Sequence, residues 1–239
     1  MYKGFLFLLF LVLILTSCGR RVVTGTGPVT AEKREISDFT MIDISAPVTA
    51  NIHVKPGAKT SLELKGYKNL LDEIDTEVEG NTLRIETENA FDLDTGQDIY
   101  VEITVGSLDE LDIHGSADAK IDGPVTGGQF TLTISGAGDV IVEDVQVSDL
   151  AATISGAGDV DITSGSAQHA DFRISGAGNI NAFGLQAEDV TAKVSGAGDV
   201  NVTALKNLEA KVSGAGSIHY KGKPALKSQT SGIGEIAAE

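Results

Sequence analysis

From residue 113 to the end of the chain, apolar and polar residues alternate in short runs that are broken by paired glycines at a fixed interval. Leu132 and Ile134 precede one such break and Val140 and Val142 follow it. The same parity returns as Phe172, Ile174, Ile180 and Ala182. A period of two is the signature of a strand with one buried face. The breaks themselves repeat: Ile134-Ser-Gly-Ala-Gly-Asp-Val140, Ile154-Ser-Gly-Ala-Gly-Asp-Val160, Ile174-Ser-Gly-Ala-Gly-Asn-Ile180 and Val194-Ser-Gly-Ala-Gly-Asp-Val200 are in register at twenty residues. Val212 to Ile218 and Thr230 to Ile236 follow at eighteen, and Ile113 to Ala119 is a degenerate first copy.

Each repeat therefore predicts strand, sharp corner, strand and a looser return. The corner glycines are Gly136 and Gly138, Gly156 and Gly158, Gly176 and Gly178, Gly196 and Gly198, and Gly214 and Gly216. They are expected to supply a tight corner, with positive φ, that a side chain would obstruct. No copy can bury its apolar face alone. Stacking aligns Ile134, Ile154, Ile174, Val194 and Val212 in one column and gives each strand a hydrogen-bonded neighbour in the next coil. The expected fold is all-β, a parallel β-helix or β-solenoid with about seven C-terminal coils marked by SGAG turns. In the last copy Ser228 and Thr230 replace the aliphatic pair, as suits a terminal coil.

Residues 34–112 lack the motif but contain strand-like runs at Met41 to Ile44, Ala50 to Val54, Ser61 to Leu64, Thr82 to Glu86 and Ile99 to Val105, with a short helical turn at Asn69 to Ile74. They read as irregular coils that continue into the regular repeats of 113–239, so that 34–239 forms one continuous domain. Residues 1–17 read as a signal peptide, with Lys3 before an apolar stretch from Phe5 to Leu15 that is too short for a permanent membrane span. Leu15-Thr-Ser-Cys18 resembles the lipobox of bacterial lipoproteins, which makes Cys18, the only cysteine, the expected lipidation site. Residues 18–33 are then a lipidated flexible tether. With Gly19 after the cysteine in place of Asp, the resemblance favours the outer membrane, without fixing the leaflet.

Composition narrows the function. The formal net charge is −16, and fourteen acids between Asp72 and Asp112 face a single base, Arg84. Nucleic acid is excluded as a partner, because phosphate binding needs clustered Lys and Arg. Aromatic residues make up 5% and there is no Trp. The core must therefore be aliphatic.

The segment "GNTLRIE" (Gly80 to Glu86), then "LDELDIHGSAD" (Leu108 to Asp118) leading into reiterated "SGAGD" turns, resembles the bacterial auto-transporter adhesin family, head GIN domain, over roughly residues 36 to 236. That resemblance implies a right-handed β-helix shaped like pectin lyases but without their catalytic residues, and a role in adhesion.

Three readings of the surface compete. The column Asp118, Asp139, Asp159, Asn179, Asp199 invites calcium, with Asp139, Asp159 and Asp199 as the candidate ligands. The plainer reading is that these side chains bond turn amides, so no metal and no cofactor is expected. The serine column (Ser135, Ser155, Ser175, Ser195, Ser213, Ser231) has no base in its motif, and the histidines at 53, 114, 169 and 219 do not follow the repeat. A carbohydrate-active enzyme of the lyase or hydrolase kind is thus the alternative, and a calcium-dependent structural envelope protein a further one. The favoured reading is a non-catalytic envelope binding module, held to the membrane by lipid, with a protein or glycan ligand of unknown identity.

Overall fold

The computed structural model of the protein describes residues 22–87, 92–94 and 99–239. Cys18 and the apolar leader lie outside the described residues. In chain order the elements begin with β1 (Val22–Thr24), β2 (Val29–Arg34), β3 (Met41–Ile44), β4 (Thr49–Val54), β5 (Ser61–Tyr67) and α1 (Lys68–Leu71). They continue with β6 (Ile74–Glu79), β7 (Thr82–Thr87), β8 (Asp92–Asp94), β9 (Tyr100–Val105) and β10 (Glu110–Ile113). The repeats supply β11 (Asp118–Ile134), β12 (Val140–Ile154), β13 (Val160–Ile162), β14 (Gly165–Ile174), β15 (Ile180–Val194), β16 (Asp199–Val212), β17 (Ser217–Gly222), β18 (Ala225–Thr230) and β19 (Ile236–Ala238).

From β10 onward every pairing is parallel, coil upon coil, as a solenoid requires. The aligned column runs Ile85, Ile44, Ile113, Ile134, Ile154, Ile174, Val194, Val212 and Thr230. All but Thr230 are buried. A second column holds Leu83, Ile42, Leu111, Leu132, Ala152, Phe172, Ala192, Ala210 and Ser228. There Phe172 sits between Ala152 and Ala192, so a large side chain fills the space that two small ones leave and the interior stays close-packed.

The N-terminal part continues the solenoid, but not in chain order. The coil made by β3 and β4 lies between the coil of β7 and β9 on one side and that of β10 and β11 on the other. The chain builds the second coil first, steps outward to lay down the terminal one, then crosses back. The excursion is antiparallel: β5 pairs with β9 and β2 with β5, while β6 pairs with β7. The β6–β7 hairpin turns on Gly80 and Asn81, with Gly80 at φ +63, as a two-residue turn with glycine first demands. These strands cover the edges that a terminal coil would leave open. α1 stands near the turn expected at Asn69 to Ile74, with Leu70 and Leu71 buried.

Of the expected tether, residues 22–33 include strands of this cap, while 18–21 lie outside the described residues. Val29–Arg34 is a strand of alternating exposure, and Asn69 bonds both Thr26 N (2.9 Å) and Thr24 O (2.9 Å). Main-chain pairing to β5, which glycine and proline counting does not register, holds this segment down. Arg34 locks it: Nη1 donates to Ile74 O at 2.6 Å and Thr76 Oγ1 at 3.0 Å, and Nη2 to Leu71 O at 2.9 Å. Among the described residues, no helix is long and apolar enough to cross a membrane.

Candidate functional site

The SGAG segments stack directly on one another at one corner. Ser155 N donates to Ile134 O (2.8 Å) and Ala157 N to Gly136 O (2.9 Å), and the pair recurs at Ser175 and Ala177, Ser195 and Ala197. The reason for glycine here differs from the expected one. Of the ten corner glycines only Gly198, at φ +159 and close to extended, has a positive angle in the glycine-favouring range. What forbids a side chain is the coil beneath. A Cβ on Gly156 would lie 1.8 Å from Gly136 O, and on Gly176 1.9 Å from Gly156 O. The glycines keep two backbones in contact, while Ser, Ala and Asp of the motif point to solvent.

The acidic column is a hydrogen-bond ladder. Asp118 Oδ1 accepts from Asp139 N (2.9 Å), Asp139 Oδ1 from Asp159 N (2.9 Å), and Asp159 Oδ1 from both Asn179 N (2.8 Å) and Asn179 Nδ2 (2.9 Å). Asn179 Oδ1 then serves Asp199 N, and Asp199 Oδ1 serves Ser217 N. Each side chain caps an amide of the next coil, which explains why Asn179 substitutes for Asp without breaking the ladder. Among the described residues, no group of three or more His, Cys, Asp or Glu is placed to hold a metal ion.

The serine column is likewise a corner feature, with Ser213 Oγ 3.4 Å from Ser195 Oγ. The histidines face carboxylates: His114 faces Asp43 (3.8 Å), His169 faces Asp189 (3.5 Å), His219 faces Glu239 (3.2 Å), and His53 stands between Glu102 and Asp122.

Two shallow grooves run across the coils. One, of about 490 Å³, is lined by Gln129, Asp149, His169, Asp171, Asp189 and Glu209 among others. Its acids are largely engaged: Asp171 with Arg173 (2.6 Å), Glu209 with Lys227 (3.1 Å), and Asp189 with Asn207 (2.6 Å). The Asp171 carboxylate raises the Arg173 pKa further, so the guanidinium stays charged. The other groove, of about 450 Å³, is lined by Gln146, Ser166, Gln168 and Gln186 with one carboxylate, Glu188, which pairs with Lys206. Glu110 is the carboxyl held above its ordinary value, by burial first and then by its hydrogen bond to Asp112 and repulsion from Asp112 and Asp43. It lines neither groove. Of these groups, the first groove gathers His169 with Asp149, Asp171 and Asp189.

The geometry defines a class: a β-solenoid that presents repeated side-chain columns and shallow grooves. Comparison with known proteins carries this one step further. Residues 38–224 match the family described as "Putative auto-transporter adhesin, head GIN domain", and the chain belongs to that family. A solved structure described as a putative adhesin from Bacteroides fragilis superposes with a TM-score of 0.87 at 27% identity, covering 91% of this chain and 100% of that one. A putative lipid binding protein from Parabacteroides distasonis gives 0.76 at 25%, covering 92% and 100%. A putative adhesin from Parabacteroides merdae gives 0.72 at 22%, covering 92% and 99%, and at that identity shows the fold alone. No curated protein matches the chain.

Proposed function

We propose that the protein is a non-catalytic adhesin-type binding module, anchored in the bacterial envelope through lipid on Cys18 and presenting its solenoid to a protein or glycan partner. The observation that carries this reading is the set of outward-facing polar columns, half-buried to exposed, held in register on the core. Thr133, Thr153, Arg173, Lys193 and Lys211 are successive ladder partners on one face. Such a face offers repeated weak contacts, and many copies on one membrane convert them into avidity. Membership of an adhesin family supports the same conclusion.

Attachment of a deletion strain to matrix proteins, glycans and other cells, compared with wild type, is the test. Reduced attachment restored by the wild-type gene supports the reading. Turnover of a polysaccharide or ester by the purified domain, abolished by one point mutation, with attachment unaffected by the deletion, would sink it. Cys18→Ala should move the protein out of the membrane fraction; unchanged fractionation and no acyl mass on the wild type would remove the anchor from the proposal.

A further inference from the structure

One side chain of the out-of-sequence coil bonds to both of its neighbours. His53 projects from β4 on the outer face, between β9 and β11. Its Nδ1 lies 2.8 and 2.9 Å from the two carboxylate oxygens of Asp122, and its Nε2 lies 2.9 Å from Glu102 Oε2. Asn51, two residues earlier on the same face, donates from Nδ2 to Glu102 Oε1 at 2.8 Å. The imidazole thus bridges three coils whose residues are 49 and 69 positions apart in the chain. Both ring nitrogens face carboxylates, which only accept. Only imidazolium can donate at both; a neutral ring must turn a lone pair toward one of them.

We propose that His53 is a proton-operated latch, which closes the N-terminal coils onto the repeat solenoid while protonated and loosens them when the ring loses its proton.

The surrounding charges are mixed but mostly acidic. From β9 comes Glu102, and from β5 Glu63, which stands opposite Glu102 in the ladder. From β11 come Asp122 and Lys120, the latter tied to Glu143 of β12 at 2.8 Å. From the end of β4 comes Lys55, which is exposed. Carboxylates dominate, and the His53 pKa lies above 6.5, through the hydrogen bond to Glu102 first, opposed by burial, and then through Asp122. For Glu102, burial pushes upward, but the bonds from Asn51 and His53 outweigh it and leave its pKa below 4.5. A raised histidine pKa contributes stability that is complete below the unfolded value and is lost as pH rises through the folded value. The Glu102 contribution is lost only in acid. The latch is therefore closed while pH lies below the His53 pKa and opens as pH rises through it.

Each unit by which the folded pKa exceeds the unfolded one corresponds to a tenfold rise in the opening constant across the transition. The test uses the whole protein. Ring-proton NMR should give His53 a pKa above 6.5, and amide protection in β4 and β9, corrected for intrinsic exchange, should fall at least several-fold from about pH 6 to about pH 9. In His53→Gln that pH dependence should vanish, whereas His114→Gln, at an exposed histidine, should keep it. A His53 pKa at or below 6.5, or equal pH dependence in wild type and His53→Gln, would overturn the proposal. The NMR titration of the wild type decides the matter even if the variant fails to fold.

Discussion

Replacing Gly176 by alanine isolates what holds the corner together. The added Cβ would stand 1.9 Å from Gly156 O, 2.7 Å from Ser155 O and 2.9 Å from Gly156 C, whereas ordinary contact begins at 3.4 Å. All three atoms are backbone, so no flexible side chain can swing aside. The coils must separate locally by about 1.5 Å, an overpacking strain of about 1–3 kcal/mol. That movement stretches the Ala177 N to Gly156 O bond from 2.9 Å and the Ser175 N to Ile154 O bond from 2.8 Å beyond useful length. Each lost bond adds about 1 kcal/mol. The expected cost is about 3–5 kcal/mol, a large share of the roughly 5–15 kcal/mol that a domain commands.

Two controls separate stacking from backbone conformation. Gly80 has φ +63 and nothing within 4 Å of a built Cβ, so Gly80→Ala should cost only the left-handed penalty of about 1–2 kcal/mol. Ala177→Ser, at an exposed position in the same corner, should stay within about 0.5 kcal/mol of wild type. Urea denaturation of the purified domain, followed by circular dichroism, ranks the three. If Gly176→Ala cost less than Gly80→Ala, the close-approach account of the repeat would be wrong.

Other substitutions probe other parts of the structure. Arg34→Ala leaves Leu71 O, Ile74 O and Thr76 Oγ1 without their donor and should destabilise the cap by roughly 2 kcal/mol, seen first as lost amide protection in β2 and β6. Glu110→Gln should raise the melting temperature near pH 7.5 and not near pH 4: a carboxyl with a raised folded pKa favours the fold while protonated and opposes it once ionised beside Asp112 and Asp43. Lys193 lies between Arg173 and Lys211 in the ladder, so Lys193→Glu replaces two like-charge neighbours by opposite ones and should stabilise by about 0.5–1 kcal/mol in low salt, less in high salt. Asp159→Ala removes the acceptor of Asn179 N and should cost about 1 kcal/mol, while a chelator leaves the wild-type melting curve unchanged; a chelator-induced shift would revive the calcium reading.

The regular half of the fold was legible because one periodicity controls both packing and register. The twenty-residue spacing pairs Ile134 with Ile154 and Ile174, and the parity around the motif sends those residues inward. The change of spacing to eighteen was visible too, but not where the lost residues would be absorbed. The ladder slips between Ala182 and Gln186, and again between Ala187 and Asp189, so the shortening falls on the return segment and spares the corner. The corner cannot yield, since its glycines are locked against the neighbouring backbone, whereas the loose return can bulge.

The N-terminal half resisted for a different reason. Strands such as Met41–Ile44 and Thr82–Thr87 have the right alternation, but alternation states which face is buried and not which coil is adjacent. Any of these coils could have stacked on any other with its apolar residues inside. What distinguishes the observed order is polar contact on the outer face, such as Asn51 and His53 to Glu102 and His53 to Asp122, and these pairs lie 49 to 69 residues apart. The same contrast bears on function. A repeat tends to place like beside like, so Asp139 meets Asp159 and Lys193 meets Lys211, and unlike groups meet where one coil departs from the pattern, as at His169 between Asp149 and Asp189. The N-terminal coils carry no repeat, and there His53 bonds to Glu102 and Asp122 across the coil boundary. The regular coils keep like residues in register over much of their length, as at Asp139 and Asp159, an arrangement that suits contact with an extended partner.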